Sequence, residues 1–237
     1  MKKLSFILMM LVALISVSCG FKSETSPLTG ELETFTEQSE DGNNILVGVR
    51  NIQTGDILVS PDLYTSVTAD EHLIICKDVD SLTFVYTTSG TKLGRYDMVT
   101  HWNNNGEYYL CAGYKTSCYY FPKIKEFVHA KGVYNGLKYL FLEIDELWQI
   151  RNYDGEFIGN MPTVCTLIKD EAAKEETYYF VTTSDDERSP IYRLYTIDNK
   201  KVKTFNTRQW AKAEKKLKFK QALDGLNIVS CQNVKNL

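Results

Sequence analysis

The chain has 237 residues, 30 acidic and 27 basic side chains and a formal net charge of −3. Apolar residues make up 43% of it, which suits one ordinary core-forming domain. Its lysines are interspersed with acids and form no phosphate-tracking stripe, so nucleic acid is not the expected partner.

Lys2 and Lys3 precede an apolar run over residues 4–17, too short to cross a membrane as an ordinary helix. Ser16 and Ser18 then lead into Cys19, the shape of a secretory signal with a small-residue cleavage site. The run Ser16-Val17-Ser18-Cys19 resembles a bacterial lipoprotein lipobox. That resemblance implies removal of residues 1–18 and lipidation of Cys19. The membrane is then a partner through a lipid anchor, and the expected location is the cell envelope, at the outer membrane, with its face left open. Several acyl chains hold firmly, because each buried CH₂ contributes about 0.8 kcal/mol. The alternative is an ordinary signal peptide that contains a cysteine.

Residues 19–44 are rich in Ser, Thr, Gly and Asn and carry six acids against Lys22 alone. That composition predicts a flexible acidic tether, although the alternation over 32–36 has the pattern of a short strand. Residues 45–237 have β character throughout. Short runs of Val, Ile, Leu, Tyr and Phe are punctuated by turns such as Thr54-Gly55-Asp56, Asn103-Asn104-Asn105-Gly106, Tyr134-Asn135-Gly136 and Tyr153-Asp154-Gly155.

A strand–Gly–strand unit recurs at Gly55, Gly90 and Gly155, and again at Asn199, with gaps of 35, 65 and 44 residues. The gap of 65 has room for a degenerate copy near Pro122-Lys123. Each unit offers four short strands, the first beginning at residue 47, so the expected fold is all-β: a five-bladed propeller-like array of four-stranded hairpin repeats. An open β-repeat solenoid is the alternative. The segment 48–64, with Gly48, the Gly55 turn and Pro61-Asp62-Leu63-Tyr64, is similar to the WG-repeat pattern, and Arg95-Tyr96-Asp97 is similar to its Tyr-Asp element. Proteins of that family are taken as binding modules, so the resemblance implies an architecture and no catalytic residues.

One helix is expected, over 207–216, with Thr207 as N-cap and Trp210, Ala213 and Leu217 on one face. Beyond Cys19 five cysteines remain, none in a Cys-x-x-Cys pair. Cys111 and Cys118 bracket a turn-like linker, and antiparallel pairing of the flanking runs sets them face to face, within disulfide reach. His72, His101 and His129 have no ligand spacing, and Asp185-Asp186-Glu187 lacks the calcium-loop pattern. No metal site or cofactor is expected. In Tyr108-Tyr109 and Tyr119-Tyr120 the alternation of a strand predicts one ring inward and one outward. The outward rings, with Trp102 and Trp148, form a candidate row for stacking on sugars. These readings converge on a lipid-anchored envelope binding or scaffold protein without catalytic activity, whose partner is an envelope protein or a glycan. The alternatives are a carbohydrate-binding component of a glycan-uptake system and a hydrolase with a site at a channel mouth.

Overall fold

A computed structural model describes residues 23–113, 117–219 and 226–237. The expected signal segment and Cys19 lie outside the described residues. The described residues are all-β, five sheets each built on a four-stranded antiparallel meander of consecutive strands. The first sheet holds β1 (Thr25–Thr29), β2 (Leu32–Gln38), β3 (Ile45–Asn51) and β4 (Ile57–Val59). The second holds β5 (Tyr64–Ala69), β6 (Leu73–Asp78), β7 (Thr83–Thr87) and β8 (Lys92–Tyr96). These two sheets form one compact unit that ends at Tyr96, and the described residues from Asp97 onward form another.

In the second unit the third sheet holds β9 (Met98–Trp102), β10 (Tyr108–Ala112), β11 (Ser117–Phe121) and β12 (Glu126–Ala130). The fourth holds β13 (Val133–Asn135), β14 (Tyr139–Ile144), β15 (Leu147–Asn152) and β16 (Phe157–Pro162). The fifth has β17 (Thr166–Asp170), β18 (Tyr178–Thr183), β19 (Tyr192–Thr196) and β20 (Lys201–Phe205), extended by β21 (Lys218–Phe219) and β22 (Asn227–Cys231). Strand β22 runs parallel to β17, an arrangement reached only through a crossover. That crossover contains the helix α1 (Thr207–Glu214).

The recurring turn is the third connection of every sheet. Gly55, Gly90, Lys125, Gly155 and Asn199 all have positive φ, between 54° and 89°. Each donates its N–H to the carbonyl of the residue three or four before it, at 2.9–3.2 Å. In four of the five the ladder shifts register just ahead of the turn, at Arg50, Tyr86, Arg151 and Tyr195. This is the hairpin in which a left-handed residue closes a tight turn and forms a bulge, which suits Gly or Asn. The degenerate copy expected near Pro122-Lys123 is the turn that closes on Lys125.

The expected phase of the repeat is corrected by two strands. The turn lies between the third and fourth strands of a sheet, not between the first and second. The missing strands at the front are β1 and β2, which occupy the expected tether over 25–38. Composition misleads there because Glu31 and Glu33 each have a partner on β3 or on the turn that follows it. Glu33 meets Arg50 at 2.7 Å, and Glu31 accepts from Gln53 at 2.7 Å. Leu32 and Phe35 are both buried, on opposite faces of β2. The Phe35 ring lies across Gly48, where a Cβ would come within 2.6 Å of it.

Sheets pack face to face on apolar layers. Leu32, Val49, Val59, Tyr64, Ile74 and Tyr86 join the first sheet to the second. Tyr108, Tyr119, Phe121 and Val128 join the third to Leu140 and Leu142 of the fourth. Phe141, Trp148, Ile150 and Met161 join the fourth to Leu167, Tyr178 and Phe180 of the fifth. A buried guanidinium also spans the third and fourth sheets. Arg151 reaches both Glu126 oxygens, at 2.8 and 3.1 Å, and donates to the Gly155 carbonyl at 2.8 Å.

Helix α1 buries Trp210 and Ala213, with Leu217 just beyond it, against the fifth sheet. Its N-cap is Asn206, not Thr207. The Asn206 side chain accepts from the Gln209 N–H and the Gln209 side chain accepts from the Asn206 N–H, a reciprocal capping box.

Two glycines of the recurring turn separate backbone strain from packing. Gly55 has φ of 77° and open space where a side chain would go. Gly155 has φ of 89°, and a Cβ there would lie 2.5 Å from the Phe121 ring. Gly55→Ala is expected to cost about 1–2 kcal/mol through its left-handed backbone. Gly155→Ala is expected to cost about 1–3 kcal/mol more by overpacking. Urea denaturation followed by circular dichroism measures both, and equal losses would contradict the packing described.

Candidate functional site

The first and third connections of a four-stranded meander emerge at the same end of the sheet. Where two sheets pack, those connections flank a cleft. Between the third and fourth sheets this cleft has a volume of about 240 Å³. Its lining comes from the third sheet's first connection (Asn104, Asn105 and Gly106, between Trp102 and Tyr108), the end of β13 and the connection after it (Asn135, then Gly136 and Leu137), and Tyr153 of the fourth sheet's third connection.

Tyr108 is the floor. It is 2% exposed and sits among four other rings, parallel to Trp102 at 6.2 Å and 5.8 Å from Tyr153. Burial, and then the neighbouring Tyr153, pushes its hydroxyl up to about 12. The Tyr153 hydroxyl is raised as well, chiefly by burial. Both therefore stay neutral at ordinary pH, and among the described residues the lining contains no carboxylate, ammonium, imidazole or thiol.

The walls are fixed by bonds from three directions. Tyr153 donates to the Gly136 carbonyl. Asn105 Nδ2 donates to the Leu137 carbonyl at 3.1 Å. The Lys138 N–H donates to Glu176, at 2.6 Å, and the side chain of Glu176 is 6% exposed. Gly106 has φ of 137° and lies so close to the Tyr153 backbone that a Cβ would come within 2.6 Å of it. Behind it Lys123 Nζ meets Asp154 at 2.6 Å. That ammonium is the main cause holding the Asp154 carboxyl below its ordinary range, helped by the Glu107 N–H.

Equivalent places elsewhere differ in chemistry. Between the first and second sheets the lining includes Glu31, Asp70 and Glu71. Between the fourth and fifth, Glu175 pairs with Lys138 Nζ at 3.2 Å, while Glu176 accepts from the Lys138 N–H and from the Tyr178 hydroxyl, at 2.7 Å. Neither of these two places has the neutral aromatic lining of the cleft between the third and fourth sheets.

Most of the expected stacking row is interior. Trp102 is 43% exposed, whereas Tyr108, Tyr109, Tyr119, Tyr120 and Trp148 are all buried. Alternation does send Tyr108 and Tyr119 to one face and Tyr109 and Tyr120 to the other. All four rings are buried, so neither Tyr of a pair reaches solvent. Trp148 belongs to the layer between the fourth and fifth sheets. The stacking surface therefore reduces to Trp102, with Tyr108 beneath it. The residues missing from the expected row, Asn104, Asn105, Asn135, Leu137 and Tyr153, all fall in or beside segments whose sequence marks them only as turns.

Cys111 and Cys118 are direct partners across β10 and β11, as expected, but they stand as thiols and not as a disulfide. Both are fully buried, which favours the neutral form. Burial, and then the adjacent Cys118, pushes the Cys111 thiol up to about 12. Of the histidines, His101 pairs with Glu107 at 2.8 Å and stacks on Tyr109 at 4.3 Å. Among the described residues no three His, Cys, Asp or Glu side chains gather as a metal site.

No family model and no curated protein matches the sequence. Solved structures overlap it at low similarity. A eukaryotic initiation factor has TM-score 0.28 and 12% identity over 80% of this chain and 55% of its own. The computationally designed Ika8 protein has TM-score 0.23 and 10% identity over 79% and 63%. BamB from Moraxella catarrhalis has TM-score 0.24 and 11% identity over 76% and 59%. The chain thus spans 55–63% of the length of these structures, and its architecture rests on its own strand pairing.

Two measurements check the site. Trp148 and Trp210 are 1% and 7% exposed, so acrylamide is expected to quench Trp102 first, and Trp102→Phe should remove most of the quenchable emission. Unchanged quenching would place Trp102 in the interior. For the thiols, alkylation under denaturing conditions without reductant, followed by peptide mapping, is expected to find Cys111 and Cys118 both modified. A linked peptide pair would contradict the thiol state.

Proposed function

We propose that the chain is a binding module of the cell envelope, tethered to the outer membrane by lipid on Cys19, and that the Trp102 cleft is its binding surface. One observation carries this reading. The one exposed ring of the expected aromatic row lies on a cleft whose walls are braced by Tyr153, Asn105 and Glu176. Preorganised walls cost little ordering on binding. The lining offers aromatic faces, amides and backbone groups, which suit recognition, and the reading assigns it no reaction. The lipobox-like run before Cys19 and the WG-like segment 48–64 support the same reading from the sequence.

The anchor and the cleft are tested separately. Cys19→Ser is expected to move the protein from the membrane fraction to the soluble fraction, and retention in the membrane would end the anchor reading. Solubilised envelope material is expected to protect Trp102 from acrylamide, and the absence of protection would end the binding reading.

A further inference from the structure

We infer that the cleft of the third and fourth sheets takes a neutral pyranose ring, one sugar unit of a glycan, stacked on Trp102 and hydrogen-bonded to the asparagines beside it. The inference rests on the binding reading above and names its ligand class.

A single exposed apolar side chain needs no explanation by itself. Trp102 differs in what surrounds it. Its ring is parallel to Tyr108 within 1°, and Tyr108 is fixed in turn by Tyr119, Phe121 and Tyr153. The indole is therefore supported from below and half-exposed above. An aromatic face carries the negative side of its quadrupole. It attracts the weakly positive C–H groups on the apolar face of a pyranose.

Polar groups at the rim set the complementary requirement. Asn104, Asn105 and Asn135 all line the cleft and all are exposed. An asparagine amide both donates and accepts. Sugar hydroxyls do the same, so one amide can serve a hydroxyl in either sense. Among the described residues no charged side chain lines the cleft, so they offer nothing to neutralise a phosphate, a carboxylate or an ammonium.

Size narrows the class further. Drug-sized ligands occupy cavities of about 300–1,000 Å³. At about 240 Å³ this cleft holds one ring, with the rest of a glycan outside. The equivalent places at two other sheet pairs differ, since one carries Glu31, Asp70 and Glu71 and the other is spanned by Glu175 and Glu176.

The test uses the full chain, purified in a sugar-free detergent. The probes are the methyl pyranosides of glucose, galactose and mannose, with N-acetylglucosamine, at up to tens of millimolar. Glucuronate and a Gly-Ser tetrapeptide are the controls. At least one neutral pyranoside is expected to protect Trp102 from acrylamide saturably, and to do so more strongly than either control. Saturation-transfer NMR on the same sugar should show Trp102→Ala weakening binding tenfold or more, while Trp102→Phe keeps most of it. Asn104→Ala should weaken it several-fold. Circular dichroism establishes that each variant is folded, and if Trp102→Ala is not, the Phe and Asn104 variants decide. The affinity should be flat from about pH 5 to 9, because the lining hydroxyls do not ionise there.

Failure of every pyranoside to bind would overturn the inference. Binding that Trp102→Ala leaves unchanged, or that a control matches, would overturn it equally. Envelope material that still protects Trp102 when no sugar does would leave the binding reading standing and end the sugar assignment. If neither protects, both fall.

Discussion

The architecture depends on one backbone constraint, repeated once per sheet. The third connection must place a residue in the left-handed region so that the edge strand turns back with a bulge. Gly meets that demand without strain in three sheets, Asn tolerates it in a fourth, and Lys125 accepts it in the remaining one. At Gly155 the same residue does a second job. Its missing side chain lets the turn settle onto the Phe121 ring, while its carbonyl accepts from Arg151. Local turn geometry and the packing of neighbouring sheets thus meet at a single position. The Trp102 cleft follows from this, because it opens where the connections of two packed sheets stand side by side.

The sequence displayed this constraint directly. Glycines at positions 55, 90 and 155, followed by Asn199, stand out against strand-forming runs, and the long gap correctly implied a fifth turn. Phase was less visible, because a turn between two strands looks alike wherever it falls in a meander. The first strand was hidden by the acidic composition around it, while the alternation over 32–36 marked part of the second. Glu31 and Glu33 count as disorder-promoting in a composition window, yet each has a partner on the neighbouring strand or turn. Phe35 was the clue to a folded segment, since its ring needs the bare backbone of Gly48.

The site was legible in part. Period-two alternation places the tyrosines of each pair on opposite faces, and the structure agrees. What alternation does not report is whether both faces are covered. In a stack of sheets an outward ring is often the inward ring of the next layer. Trp102 escapes because it ends an edge strand, β9, beside a connection rather than in mid-sheet. The residues around it carry the ordinary composition of turns. Their role emerges only when strand pairing sets residues 103–107 beside residues 136–138 and Tyr153. No periodicity in one chain encodes that neighbourhood.

The parallel pairing of β22 with β17 also bears on the order in which the fifth sheet forms. In the other sheets each strand pairs with the next along the chain, so their ladders close short loops. Asn227 and Thr166, which face each other across β22 and β17, are separated by 61 residues. Closing a loop of that length costs more entropy than closing a hairpin, and non-local contacts of this kind slow folding. During synthesis β17 to β20 can assemble as a meander while β22 is still absent. The apolar layer of Ile168, Val181, Leu194 and Phe205 then waits for Trp210, Val229 and Cys231 to cover it. In that interval the free edge of β17 is a strand template open to other chains, and the speed with which α1 delivers β22 sets how long the nascent protein is exposed to aggregation.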